Sequence, residues 1–226
     1  MKTQIWNSNS QTAMPEVPAA IQRQTQMFTS GSGSSAVAKT ANVLCLDHSG
    51  STSSAIGHND NRSIVVGVKE AASTFAVNLL STAMLGIISF ESLAKVECKM
   101  ETVEGKKLNF VSAVQKLQSA GGTSMTEALE LAKKMLTKAP ADYQKRIYLI
   151  TDGMSTDGDP TPTAERLKLD GTQIFCIGFG EGSDIDEATM RAMASVSESG
   201  ESFFQHFTDE AKMTGFLKRQ TSTVSI

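Results

Sequence analysis

Val43-Leu44-Cys45-Leu46-Asp47-His48-Ser49-Gly50-Ser51 is the stretch on which the fold turns. Its first four residues form an uninterrupted apolar run, which suits a strand covered on both faces, as in a parallel sheet. The run then delivers one carboxylate and two hydroxyls in a D-x-S-x-S pattern. Hard cations such as Mg²⁺ or Mn²⁺ prefer oxygen ligands, so this pattern reads as half of a metal site at the carboxyl end of a buried strand.

Downstream, strands and helices alternate. Ile64, Val65, Val68, Ala71, Ala72, Phe75 and Leu79 have the spacing of one helical face and predict a helix over residues 63–81. Residues 85–90 are a continuous apolar run. Ala94, Val96, Cys98 and Met100 then alternate with polar residues, which predicts a half-exposed strand paired to that run as a hairpin. A helix over 108–117 stops before Gly121-Gly122, and another begins after Thr123, where Ser124 and Glu127 have the spacing of a capping box. Residues 147–150 form the next buried strand and deliver Thr151-Asp152-Gly153. Pro160 and Pro162 suit the entry to a short helix ending at Leu169, and 174–179 is another apolar strand. Asp184 and Glu187 resemble a second capping box, 202–207 a last strand, and Thr208 a cap for a final helix. The predicted class is α/β, with a mostly parallel sheet covered on both faces.

In such sheets ligands sit outside the carboxyl ends of the strands, where strand order reverses. Asp47 and Asp152 both stand at such ends, so neighbouring strands there would make their carboxylates converge. Gly121 and Gly122 allow close backbone approach in a loop entering a helix, and Thr123 offers a third hydroxyl.

Asp47-x-Ser49-x-Ser51, Gly121-Gly122-Thr123-Ser124 and Ile150-Thr151-Asp152-Gly153, in this order, resemble the von Willebrand factor type A (vWA) domain with an intact metal-ion-dependent adhesion site, over about residues 42–220. The resemblance implies a three-layer, Rossmann-like, six-stranded sheet with one antiparallel edge strand. It also implies a divalent ion, Mg²⁺ or else Mn²⁺ or Ca²⁺. Ser49 and Ser51 would bind it through their hydroxyls, and Asp47, Thr123 and Asp152 directly or through water. The last coordination position would go to a Glu or Asp of a protein partner. By family analogy the expected role is that of a stand-alone bacterial or phage-encoded adaptor, beside an ATPase or kinase or in a stress-response assembly of the tellurite-resistance type.

Other classes are less well supported. An aspartyl phosphatase needs a second acid near Asp47 to protonate the leaving group, and Ser49 stands where that acid would be. There is no G-x-x-x-x-G-K-[ST] loop and no Ser-His-Asp relay. No catalytic residue is therefore expected, with a Mg²⁺-dependent phosphohydrolase as the minor alternative. Met125, Met135, Met190 and Met193 read as core, and His48 as a helper of loop shape. His58 and His206 are assigned no metal, and Asp157 and Asp159 read as a solvated turn.

The 226 residues, 40% hydrophobic and 20% charged, suit one core plus a tail. A net charge of -3 gives no basic field for nucleic acid. No signal-peptide core or membrane-length apolar run is seen, and Cys45, Cys98 and Cys176 read as buried free thiols, so the expected location is cytoplasmic. Residues 1–39, rich in Ser, Thr and Gln, read as a flexible tail ahead of a vWA domain over 40–221. A tail docking on the next copy, giving a self-assembling homo-oligomeric scaffold, is the alternative function.

Overall fold

The apolar run of the opening stretch becomes β1 (Thr40–Asp47), and every residue of it is buried. Because successive side chains of a strand point to opposite faces, Leu44 and Leu46 enter one core while Val43 and Cys45 enter the other. This requires cover on both sides, and the rest of the chain supplies it.

The computed structural model describes residues 39–58, 60–181 and 185–221. Apart from Lys39, the tail expected over 1–39 lies outside the described residues. After β1 and a single 3-10 turn (Gly50–Ser53) come β2 (Ala55–Gly57), β3 (Asp60–Ser63), α1 (Ile64–Asn78), β4 (Met84–Phe90) and β5 (Ala94–Thr102). Next are α2 (Lys107–Gln115), α3 (Met125–Leu136), β6 (Gln144–Thr151), α4 (Thr161–Leu169) and β7 (Gln173–Phe179). The chain continues through α5 (Glu187–Met193), β8 (Phe204–Phe207) and α6 (Glu210–Thr221). Six strands form one sheet in the order β5-β4-β1-β6-β7-β8, parallel except for the β4–β5 pair. The expected α/β class and antiparallel edge strand are both present.

Helices α1, α2 and α6 cover the face that receives Leu44, Leu46, Tyr148 and Ile150. Helices α3, α4 and α5 cover the other, where Met125, Met135, Met190 and Met193 fill the core as expected. Strand order reverses at β1, which has β4 on one side and β6 on the other, so the switch point falls where the sequence motif ends. Cys45 and Cys176 are buried and Cys98 is half-buried, and all three are free. Burial pushes the Cys176 thiol up to about 12 and raises that of Cys45 further, which keeps both protonated. Edge strand β5 carries Lys95, Glu97, Lys99 and Glu101 in alternation, with ion pairs Lys95–Glu97 and Lys106–Glu101 at 3.2 and 2.8 Å.

Three expected helix starts are different in the structure. Ser124 does occupy the N-cap of α3, but its hydroxyl donates to the Ser92 carbonyl and not to the helix. Glu127 accepts from the Ala94 amide, so no capping box forms. At α5 the cap is Asp186, which accepts from Thr189 N at 3.0 Å; Asp184 lies outside the described residues. At α6, Asp209 rather than Thr208 accepts the first-turn amide, from Lys212 N at 3.0 Å. In each case several short polar residues compete, and tertiary neighbours decide among them.

Helix α1 packs on the sheet through Gly67, where an added Cβ would stand 2.6 Å from Phe179 Cε1. Gly→Ala inside a helix normally stabilises by about 1 kcal/mol. Here the ring cannot retreat, because Phe179 is wholly buried. Gly67→Ala should therefore destabilise, by about 1–3 kcal/mol of overpacking, seen as a lower urea midpoint; a raised midpoint would show that the contact is loose.

Candidate metal centre

The parallel register of β1 and β6 sets Leu46 beside Ile150, which brings Asp47 alongside Thr151 and leaves Asp152 one residue beyond. Asp47 is wholly buried. Its Oδ1 accepts from Ser49 N at 2.7 Å and its Oδ2 from the Thr151 hydroxyl at 2.5 Å. Burial pushes the Asp47 carboxyl up, and the hydrogen bonds from Thr151 and Ser49 only partly offset this.

The next two ligand candidates follow within one turn. Ser49 is buried and Ser51 is exposed, with their hydroxyl oxygens 3.0 Å apart. The Ser51 hydroxyl donates to Asp152 Oδ1 at 2.8 Å, and its oxygen is hydrogen-bonded to the Ser49 hydroxyl, so the three groups form a short chain. Thr123 joins from the loop before α3: a Cβ on Gly153 would lie 3.9 Å from Ser51 Oγ and 4.0 Å from Thr123 Oγ1. The two hydroxyls thus approach the same point beside Gly153. All five residues singled out in the sequence, Asp47, Ser49, Ser51, Thr123 and Asp152, gather at one end of the sheet.

Backbone bonds hold the loops together. Gly50 N donates to Gly121 O at 3.0 Å and Ala120 N to His48 O at 2.8 Å. Gly121 has φ +65°, and a Cβ there would strike the Glu91 carboxylate. His48 Nδ1 donates to Gln118 O at 2.8 Å, which makes it the helper of loop shape that was expected. Thr52 bridges Ser49 O and Ser119 Oγ, each at 2.7 Å.

The site was incomplete as read from sequence. Thr151 was not singled out, although a hydroxyl in register with Asp47 at the end of an apolar strand is a detectable signal. The β2–β3 pair was also missed. It helps to enclose a cleft of about 430 Å³ with Ser51 and Asp152 at one end and His58, Asn61, Ile64 and Glu181 around the rest. His58 does pair with the Glu181 carboxylate, and that contact holds its imidazole above the usual range. Asp157 lies in an exposed bend, as expected, and both of its oxygens also accept amides of α3.

Among the described residues no group of three or more His, Cys, Asp or Glu is placed to hold a metal. The cluster at β1 and β6 is of another kind, with two carboxylates and three hydroxyls, an all-oxygen set suited to a hard divalent ion. The donors to buried Asp47 are neutral, so a cation beside it would supply the balancing charge. The residues fit the group.

The chain belongs to the von Willebrand factor type A domain family, which matches residues 43–219. Domains of this family generally mediate protein–protein interaction. An uncharacterised protein of the cyanobacterium Synechocystis is 27% identical over 169 residues, 72% of this chain and 37% of that one. A rat protein with sushi, von Willebrand factor type A, EGF and pentraxin domains is 28% identical over 166 residues, 70% of this chain and 4% of that one. The chain thus spans well under half the length of these relatives. A solved von Willebrand factor type A structure from Catenulispora acidiphila shares the fold with a TM-score of 0.68 at 20% identity, covering 82% of this chain and 42% of that one.

Thr151→Val keeps the shape of the strand end but removes a donor from a buried carboxylate. Loss of such a partner costs about 1–3 kcal/mol, and chemical denaturation of the metal-free protein should show a drop of that size. An unchanged midpoint would mean that Asp47 does not depend on Thr151.

Proposed function

We propose that the chain is a metal-dependent protein-interaction module, without catalytic activity, whose bound divalent cation receives a carboxylate from a partner. The observation that carries this reading is the gathering of Asp47, at the end of β1, with Ser49, Ser51, Thr123 and Asp152 from three separate loops at the strand-order switch. Ser49, Ser51 and Thr123 would offer hydroxyl oxygens, and Asp47 and Asp152 the balancing charge. A hard divalent ion with six positions, Mg²⁺ first, supplies a strong electrostatic bond to an incoming acid once these five groups are in place. Two carboxylates leave the occupied site roughly neutral, so an acidic partner meets little repulsion. The cleft beside Ser51 and Asp152 gives room for residues flanking the partner's acid.

The Ser49 amide and the Thr151 hydroxyl both donate to Asp47, which holds its carboxylate in place as a fixed charge for a cation. The three free thiols are compatible with a reducing, cytoplasmic setting. No helix among the described residues is long and apolar enough to cross a membrane. An adaptor role beside an ATPase or kinase, or in a stress-response assembly, extends this reading by family analogy.

Asp47→Asn tests the charge argument. Without a metal, the neutral amide removes a buried charge, and the variant in EDTA should be at least as stable as the wild type. Mg²⁺ at 100 times its Kd should add about 2.7 kcal/mol to the wild type and nothing to the variant, as read by thermal unfolding. Partner capture from the native cell should be lost both in EDTA and in Asp47→Asn. Capture that survives EDTA would falsify the metal-bridge reading.

A further inference from the structure

The five ligand candidates are not equally fixed. Asp47, Ser49 and Ser51 share one turn, and Asp152 follows the strand beside them. Thr123 lies at the start of another element, on a loop between α2 and α3, and nothing in the covalent chain places its hydroxyl beside Gly153, where the structure has it. The structure shows what does. Thr123 N donates to Thr156 Oγ1 at 2.9 Å, and Thr156 N donates back to Thr123 O at 2.8 Å. One residue on, Asp157 Oδ1 accepts from Thr126 N at 3.1 Å and Oδ2 from Glu127 N at 2.9 Å. Ser155 Oγ donates to Asp157 Oδ1 at 2.7 Å and steadies that carboxylate.

These bonds have a particular layout. Thr126 and Glu127 are the second and third residues of α3, whose first amides have no partner inside the helix. Asp157 therefore does from another loop what an N-cap side chain does from its own, leaving Ser124 free to bond Ser92 O. The opposite side of the Thr123 loop is held by Ser92 Oγ, which accepts Gly122 N at 2.9 Å, and by Glu91 O, which accepts Ser124 N at 2.7 Å. The Thr156–Asp157 segment follows four residues after the ligand candidate Asp152, while Gly50, between Ser49 and Ser51, holds the glycine end of the same loop through Gly121 O.

We infer that Thr156 and Asp157 are positioning residues of the metal centre: they clamp the start of α3 to the loop after β6 and so hold the Thr123 hydroxyl beside Gly153, the residue that follows Asp152. This inference rests on the metal reading above. Neither residue need touch the cation. Their effect is to make the distance between two ligands a property of a hydrogen-bonded clamp, so that ion binding and the ordering of the α3 N-terminus are linked. Residues of this kind behind metal ligands typically change affinity about 10–100-fold when removed.

The test compares four variants with the wild type in Mn²⁺ titration and in amide hydrogen exchange. Thr156→Val keeps the branched shape but leaves Thr123 N without its acceptor. Thr156→Ser keeps the oxygen and serves as the rescue. Asp157→Ala removes the cap of α3. Asp186→Ala removes a cap of similar strength from α5, outside the site, and controls for general loss of stability. Thr156→Val and Asp157→Ala should each weaken Mn²⁺ binding about tenfold or more, while Thr156→Ser stays within about twofold and Asp186→Ala is unchanged. Exchange should quicken at Thr123 in Thr156→Val and at Thr126 and Glu127 in Asp157→Ala, with or without Mn²⁺. Wild-type Mn²⁺ affinity in Thr156→Val and Asp157→Ala overturns the clamp and leaves the metal centre standing. An equal loss in Asp186→Ala also overturns it, by making the effect one of stability alone. Failure of the wild type itself to bind Mn²⁺ overturns both readings.

Discussion

The hydrogen bond from the Thr151 hydroxyl to the Asp47 carboxylate ties together the ends of two central strands, and the site is built outward from it. It exists because β1 and β6 are neighbours in fixed parallel register. Each is covered on both faces, so a slip of one residue would send every side chain of the slipped strand to the wrong core. The rigidity of the sheet is thereby lent to a group of oxygens that could not organise themselves. The same burial that fixes Asp47 opposes its charge, a cost offset in part by the donors that Ser49 and Thr151 supply.

Much of this was legible in the sequence, for identifiable reasons. Long apolar runs such as 43–46 and 147–150 announce strands buried on both faces, and the helical stripe from Ile64 to Leu79 announces α1. Asp47, Ser49 and Ser51 could be read together because they are close along the chain. Asp152 could be added because it stands at the end of an apolar strand. The β2–β3 pair was illegible because Asp60-Asn61-Arg62-Ser63 has no apolar alternation. There Arg62 pairs with Asp60 and Glu70, each at 2.6 Å, and such contacts depend on the folded geometry. The helix caps failed for a related reason. Ser124 and Glu127 have the local spacing of a capping box, but Ser92, Ala94 and Asp157 come within reach only when the chain is folded.

The three loops of the site are stitched to one another. Gly50 bonds Gly121, His48 bonds Ala120 and Gln118, Thr123 bonds Thr156, and Thr52 bonds Ser119. Each loop is short of partners by itself and satisfied only in the presence of the others. Ordering one therefore favours ordering the rest, and the oxygen cluster forms as a unit instead of ligand by ligand.

The charged edge strand has a bearing on how copies of this domain behave together. A sheet edge normally offers its unpaired amides and carbonyls to any passing chain, but a strand added alongside β5 would have to accommodate Lys95, Glu97, Lys99 and Glu101 in sequence. Crowded molecules are thus discouraged from growing into a continuous ribbon, and so into fibres, at that edge.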